Sequence, residues 1–170
     1  MKQQLNLGNS LIDGILPIFG QPRVKTPIWD ESQKMFITDQ YTSATGNTYY
    51  LGVRVCDRFV TILHIGLYHN WTYINDVEVY CFNGTEKVLI GKTSLDVFYD
   101  EDLVRATTEK LLRNYIESQF QLQRKPFDSE LIAQQAHELT EQSYRSMLTD
   151  SNTVKMLDNV VKYLIPQNCN

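Results

Sequence analysis

Apolar residues follow two different periods in the two halves of the chain. From Tyr49 to Ile90 they alternate with polar residues, as in strands that bury one face. From Leu103 to Leu164 they recur every three or four residues, as in amphipathic helices, and the change of period falls at Leu95. The pattern therefore predicts an α+β fold in which an antiparallel sheet precedes a group of helices.

The alternating half predicts a four- or five-stranded antiparallel β-meander. A first strand is expected at 34–41, and a hairpin of residues 49–56 and 59–66 is expected around Asp57-Arg58. A two-residue turn at that point places three pairs on one face of the sheet: Val55 with Val60, Val53 with Ile62, and Leu51 with His64.

A second hairpin is expected around Asn83-Gly84, because both residues of this dipeptide tolerate the positive φ of a type I′ turn. The corresponding register pairs Val79 with Val88 and Val77 with Ile90. These four residues would form a purely aliphatic face, which we assign to the core.

Three helices are predicted within residues 100–165, and their short connections favour antiparallel neighbours. Candidate N-cap residues precede each helix: Asp100, then Asp128 or Ser129, then Asp150 or Asn152. The second helix is expected to end near Thr149 and to bury Met147.

Residues 1–33 have the pattern of an irregular N-terminal arm, because glycine and proline interrupt short apolar clusters. Four large apolar residues stand out in it: Ile18, Phe19, Ile28 and Trp29. The arm could lie on its own domain or dock on a neighbouring subunit, and burial would stabilise either arrangement by about 1.5–3 kcal/mol per large side chain. Residues 34–170 are then expected to form one domain, with the sheet at 34–92 and the helices at 100–165.

Composition narrows the possible partners. The 170 residues include 42% hydrophobic and 21% charged residues, which is typical of a folded globular protein. A net charge of −4 disfavours binding to nucleic acid, which requires clustered basic residues. No apolar run reaches the ~18 residues of a membrane span. The cysteines are odd in number and widely spaced, so we expect reduced thiols and a cytoplasmic or virion location.

No motif identifies a catalytic, cofactor or metal site. The three histidines show no zinc-ligand spacing, and neither a phosphate-binding loop nor a dinucleotide-binding motif is present. We therefore predict no enzyme activity, no cofactor and no metal. If the chain did acid–base chemistry in a pocket between sheet and helices, the first candidates would be four residues of the first hairpin: His64, Tyr50, Cys56 and Arg54.

Residues 67–76 are rich in aromatic side chains and are expected to connect the two hairpins. Tyr68, His69, Trp71 and Tyr73 combine apolar area with a polar group, as interface residues often do. The segment could fold back over one edge of its own sheet, or it could recognise a protein chain or a small ligand.

These observations favour a non-enzymatic structural or interaction subunit of a larger protein assembly, as a homo-oligomer or with other proteins. A virion component, such as a phage head-tail connector or tail protein, would fit this description. Its partner-binding residues would come from the arm and from the aromatic segment: Ile18, Phe19, Ile28, Trp29, Tyr68, His69, Trp71 and Tyr73. The alternative is a cytosolic domain that binds a small ligand or acts as an enzyme.

Overall fold

A computed structural model describes residues 26–165. In this part of the chain an antiparallel sheet of seven strands is followed by three helices, which confirms the predicted α+β class. The strands are β1 (Ile28–Asp30), β2 (Met35–Ile37), β3 (Tyr41–Thr42), β4 (Thr48–Cys56), β5 (Phe59–Tyr68), β6 (Trp71–Asn83) and β7 (Glu86–Phe98). The helices are α1 (Glu101–Leu122), α2 (Ser129–Ser143) and α3 (Ser151–Tyr163).

The strand order is β1-β2-β4-β5-β6-β7, and β3 pairs with the start of β4. The sheet has more strands than the four or five expected because β1, β2 and β3 are only two or three residues long. Such short strands carry too little alternation to be recognised in a sequence. Residues 28–30, which fall within the expected arm, pair with 35–37 as an edge strand of the sheet.

The first long hairpin has the predicted register. Val55 pairs with Val60, Val53 with Ile62 and Leu51 with His64. Asp57, in the turn, has a φ of +55°, a conformation that aspartate tolerates better than most residues.

The register predicted for the second hairpin is wrong by two residues. The turn consists of Gly84-Thr85 instead of Asn83-Gly84, so that Val88 pairs with Cys81 instead of Val79. Gly84 has a φ of +67° at the first turn position, where a type II′ turn requires glycine. Val88 stays on the predicted face, but it lies near the turn on the edge strand β7, where it is exposed and does not belong to the core.

Residues 67–76 are not a connector, which corrects the prediction for this segment. Strand β5 continues to Tyr68 and β6 begins at Trp71, and these two residues pair across a turn of His69-Asn70. His69 has a φ of +60° in that turn. The aromatic residues were assigned to a loop because tyrosine and tryptophan interrupt the aliphatic alternation, although both are good strand residues.

The sheet also extends beyond the predicted end at residue 92, because β7 continues to Phe98. Its pairing with β6 is shifted by irregularities at Val79/Tyr80 and at Ile74/Asp76, and Asp96 there has a φ of +52°. Bulges of this kind bend an edge strand and make its addition to another sheet less favourable.

The helix starts are confirmed and one helix end is not. Asp100, Asp128 and Asp150 are the N-caps, and the Asp100 side chain accepts hydrogen bonds from the backbone N–H groups of the first turn of α1. Helix α2 ends at Ser143, before the predicted Thr149, and Met147 is largely exposed instead of buried.

Helices lie on both faces of the sheet. On one face, α1 and α2 contribute Val104 and Ala136 to clusters around Leu63, Val77 and Val79. On the opposite face, α3 contributes a cluster that also includes strand residues: Met156, Leu157 and Val160 with Val53, Val55, Val60 and Ile62. Among residues 26–165, the helix that covers this face is α3, and its contacts are with this half of the strands. Among residues 26–165, no helix is long and apolar enough to cross a membrane.

Candidate functional site

Six aromatic residues lie together on the sheet face that carries α3, beyond the end that this helix covers. The strand register places them on one face, because Tyr41 pairs with Tyr49, Tyr68 with Trp71 and Tyr73 with Phe98. We call this group the aromatic surface: Tyr41, Tyr49, Tyr68, Trp71, Tyr73 and Phe98.

The six rings form an unbroken row. Successive ring centroids are 5.7 Å apart for Tyr41–Tyr49, 6.1 Å for Tyr49–Tyr68, 5.0 Å for Tyr68–Tyr73, 4.7 Å for Tyr73–Phe98 and 5.4 Å for Phe98–Trp71. These separations are those of edge-to-face and offset-stacked aromatic pairs. The rings therefore hold one another in place across five strands.

The aromatic surface is exposed at its two ends, and its central rings, Tyr49, Tyr68 and Tyr73, are partly buried. Trp71 is 61% exposed, Phe98 is 56% exposed and Tyr41 is 41% exposed. A contiguous group of large exposed apolar side chains is uncommon on a monomeric protein and commonly marks a binding site. It is the most prominent feature of the described chain that the folded core does not explain.

Gly66 lies in the sheet directly beneath the ring of Tyr68. It pairs with Tyr49 on one side and Tyr73 on the other. A β-carbon on Gly66 would lie 2.9 Å from the Cε2 and Oη atoms of Tyr68. The absence of a side chain at this position thus allows the Tyr68 ring to lie flat against the sheet.

A polar strip borders the aromatic surface on the same face. His64 Nε2 lies 2.6 Å from Glu78 Oε1, and Lys92 Nζ lies 3.8 Å from Glu78 Oε2. The hydrogen bond with His64 holds the pKa of Glu78 below its ordinary value. Next to this group, Ser94 donates a hydrogen bond of 2.6 Å to Asp76. The two carboxylates make the border unfavourable for anionic ligands.

A groove of about 310 Å³ lies between the aromatic surface and the polar strip. It is lined by aromatic, aliphatic and polar residues: Tyr41, Ser43, Tyr49, Tyr50, Leu51, His64, Ile65, Asn75 and Asp76. Its volume is at the lower end of the range for small-molecule sites.

The structure separates the four residues that were candidates for acid–base chemistry. His64 lies on the face of the aromatic surface, whereas Tyr50, Arg54 and Cys56 lie on the opposite face, because they alternate with Leu51, the partner of His64. His64 therefore cannot act together with Cys56 or Arg54.

Arg54 belongs to a buried network under α1 and α2. Its guanidinium is 1% exposed, donates to the backbone carbonyls of Gln33 and Lys34, and lies 3.3 Å from Glu101 Oε1. It also lies 3.6 Å from the ring centroid of Tyr144, whose hydroxyl donates to Glu101. Burial raises the pKa of Tyr144 above its ordinary value. These contacts join the first strands to α1 and to the end of α2, so we assign the network a role in stability.

The two cysteines in the described residues have the character of core side chains. Cys56 is buried and its thiol donates to Gln142 Oε1 at 3.1 Å. Burial raises its pKa to about 11. Burial also raises the pKa of Cys81. A thiol with so high a pKa is a poor nucleophile at neutral pH.

One group of potential metal ligands occurs within residues 26–165, between α1 and α2. Glu109, His137 and Glu141 hold their ligand atoms within 4.8 Å of one another. His137 Nδ1 lies 2.6 Å from Glu109 Oε1, and Arg105 pairs with Glu141. His137 and Arg105 contact these carboxylates, so the group forms an interhelical cluster of polar contacts.

The structure brings together some of the predicted partner-binding residues. Tyr68, Trp71 and Tyr73 belong to the aromatic surface, and His69 lies in the adjoining turn. Ile28 is exposed on β1, whereas Trp29 packs on Phe36. Ile18 and Phe19 lie outside the described residues.

Sequence reasoning missed three members of the aromatic surface. Tyr41, Tyr49 and Phe98 are distant in sequence from residues 68–73 and meet them only through strand pairing. The face on which Tyr49 lies could have been predicted, because Tyr49 is two residues before Leu51 on the confirmed first hairpin and alternate residues of a strand share a face. That of Phe98 could not, because the irregularities in β7 change which residues share a face.

Comparisons with known proteins identify no relative: no protein-family model matches the chain, and no curated protein or solved structure shows significant similarity to it.

Proposed function

We propose that the chain is a non-enzymatic interaction subunit of a larger protein assembly and that the aromatic surface is its contact site. The observation that carries the proposal is the unbroken row of six rings on the half of the sheet that none of the three described helices covers. A virion component, such as a head-tail connector or tail protein, remains one example of such an assembly.

The chemistry of the aromatic surface favours a protein partner. Tyrosine and tryptophan are enriched among interface residues that dominate binding, because they bury a large area at a low cost in conformational entropy. Trp71 and Phe98 are in ring contact and are both more than half exposed. Together with the polar strip, they resemble the apolar centre and polar rim of a protein interface.

The carboxylates near the aromatic surface argue against nucleic acid as the ligand. Exposed aromatic rings on a sheet can stack on bases, but such sites also carry basic residues for the phosphates. Here Asp76 and Glu78 border the rings, and Lys92 is paired with Glu78.

The groove supports a second candidate function, the binding of a small neutral ligand. Its tyrosine rings provide apolar contact, while Asn75 and Asp76 provide hydrogen-bonding groups. Native mass spectrometry of the purified chain would reveal such a ligand as an added mass, and Tyr49→Ala would remove that mass.

The proposal is tested by the size of the full chain in lysates of its native host. Wild-type protein is expected to sediment well ahead of a 19.8 kDa monomer. The double variant Trp71→Ala/Phe98→Ala should sediment as the monomer. The matched control Leu122→Ala/Leu131→Ala changes two comparably exposed apolar residues on α1 and α2 and should sediment as wild type does. A folded aromatic double variant that stays in the complex would contradict the proposal.

A further inference from the structure

We infer that the occupant of the aromatic surface is the apolar N-terminal segment, residues 11–19, of a second copy of this chain. The inference rests on the proposed function, since it names the partner of the same site. It predicts that the chain forms a homo-oligomer in which the aromatic surface of each copy binds the N-terminal segment of a neighbouring copy.

The position of the first described residues supports this occupant. Residues 28–30 run parallel to β4, because both strands pair with β2 in antiparallel orientation. Going backwards from Ile28, the chain therefore leads towards the end of the sheet where Tyr41 and Tyr49 lie. At least 25 further residues precede Thr26. Thr26, the first described residue, therefore lies on the side of β1 that faces this end of the sheet.

The proline pattern favours a neighbouring copy over the segment's own domain. Pro22 and Pro27 each restrict the preceding residue to an extended conformation. Thr26 follows Phe19 by seven positions, and an extended chain covers about 3.3 Å per residue. A fully extended segment of this length would carry Phe19 up to roughly 23 Å from Thr26, a distance at which a second copy can present its own aromatic surface.

Composition and charge make the segment and the surface complementary. Residues 11–19 include four β-branched or aromatic residues and two leucines, which suit a row of exposed rings: Leu11, Ile12, Ile15, Leu16, Ile18 and Phe19. The three basic residues of 1–25, Lys2, Arg23 and Lys25, lie on either side of this segment, while the one acidic residue, Asp13, lies within it. Asp76 lies beside Tyr41 and Tyr49 in the groove, and Glu78 lies next to Asp76 on the same face. The pKa of the Tyr68 hydroxyl is raised, chiefly by its hydrogen bond with Tyr49 and to a lesser degree by the nearby Asp96. An apolar segment with flanking positive charge therefore meets an apolar surface with a negative border.

The test uses full-length chains and a complementation design. Variant A carries Ile18→Asp and Phe19→Asp and keeps an intact aromatic surface. Variant B carries Trp71→Ala and Phe98→Ala and keeps an intact N-terminal segment. Masses are measured by sedimentation equilibrium over a hundredfold range of concentration, and circular dichroism confirms that each variant is folded.

The inference predicts that wild type self-associates and that variants A and B each associate at least thirtyfold more weakly, because each lacks one half of every contact. An equimolar mixture of A and B should form a heterodimer, because the segment of B can bind the surface of A. Complementation of two defective variants is not expected if either substitution merely damages folding.

Three results would overturn the inference. A monomeric wild type would do so, and so would a mixture of A and B that remains monomeric. If B loses association while A retains it, another segment occupies the aromatic surface; the proposed function then stands and the inference fails. In the case of a monomeric wild type, a Trp29→Phe background leaves Trp71 as the single tryptophan; if Ile18→Asp/Phe19→Asp then increases quenching of its fluorescence by acrylamide, the segment covers its own domain.

Discussion

The ring of Tyr68 lies against Gly66, so close that a β-carbon on Gly66 would approach the ring carbon Cε2 at 2.9 Å. Gly66 is itself buried between the strands that carry Tyr49 and Tyr73. The atoms of Tyr68 that would clash belong to the far end of its side chain, which can rotate away. The position of the Tyr68 ring in the row thus requires glycine at position 66, whereas the backbone conformation at Gly66 does not.

We predict that Gly66→Ala weakens assembly without unfolding the domain. The alanine should displace the Tyr68 ring and break the row at its centre, while the free energy of unfolding changes by less than about 1 kcal/mol. Association should weaken by roughly tenfold, about 1.4 kcal/mol. Sedimentation and thermal unfolding of the same preparation measure both effects.

Gly52→Ala is the matched control for that substitution. A β-carbon on Gly52 would lie 2.3 Å from Sδ of Met35, which is fully buried in the core. We expect this variant to lose stability by about 1–3 kcal/mol through overpacking. If Gly66→Ala destabilised the domain as much as Gly52→Ala, the Tyr68 ring would be a core residue and not part of a binding surface.

Arg54 and Arg105 are predicted to differ strongly in their contribution to stability, although both contact the ring of Tyr144. Arg54→Met should lower the free energy of unfolding by about 1.5–3 kcal/mol, because the carbonyls of Gln33 and Lys34 lose their charged donor and Glu101 loses its ion pair. Arg105 is partly exposed, so Arg105→Met should cost about 1 kcal/mol or less. Urea unfolding of both variants makes the comparison, and equal costs would contradict the assignment of Arg54 as the buried centre of the network.

The Cys56 thiol is predicted to be unreactive in the folded protein. With a pKa of about 11 it is ~0.1% ionised at pH 8, and it is also buried. Iodoacetamide should therefore modify Cys56 at least about a hundredfold more slowly in the native protein than in urea. Peptide mapping by mass spectrometry follows the reaction, and rapid native alkylation would instead favour an enzyme with Cys56 as nucleophile.

Stability should fall in mild acid through Glu78. Its pKa is lowered from 4.5 in the folded protein, chiefly by the hydrogen bond with His64. A carboxylate with a lowered folded pKa stabilises the native state above its unfolded value, and this stabilisation is lost as the pH falls through the folded value. The melting temperature should therefore drop below about pH 5, and less steeply in Glu78→Gln, which cannot titrate. If the melting temperatures of wild type and Glu78→Gln depended on pH in the same way, Glu78 would not contribute to the pH dependence of stability.

The parts of the fold that the sequence predicts are those with strong local signals. The first hairpin and the three helix starts follow from alternation, a two-residue turn and aspartate caps, each of which acts within a few residues. The second hairpin was misplaced because Asn83-Gly84 suits a type I′ turn, while the chain uses Gly84 in a type II′ turn. Both choices satisfy local preference, and only the packing of the whole sheet distinguishes them.

The candidate site was only half predictable for a related reason. Tyr68, Trp71 and Tyr73 are concentrated in one short segment, which makes them conspicuous in the sequence. Tyr41 and Phe98 join them through register, and two irregularities in the pairing of β6 with β7 decide on which face Phe98 lies. Irregularities of this kind depend on long-range packing and leave no local pattern.

The central claim, that the aromatic surface binds protein, is tested most directly by a photo-cross-linker at position 71. Trp71 is replaced by p-benzoylphenylalanine in the full chain, and a second protein carries the same group at Leu122, which is also highly exposed but lies on α1. After irradiation in the native host, we predict discrete protein adducts from position 71 and none from position 122. Folded protein that yields no adduct from position 71, or the same adducts from both positions, would contradict the account.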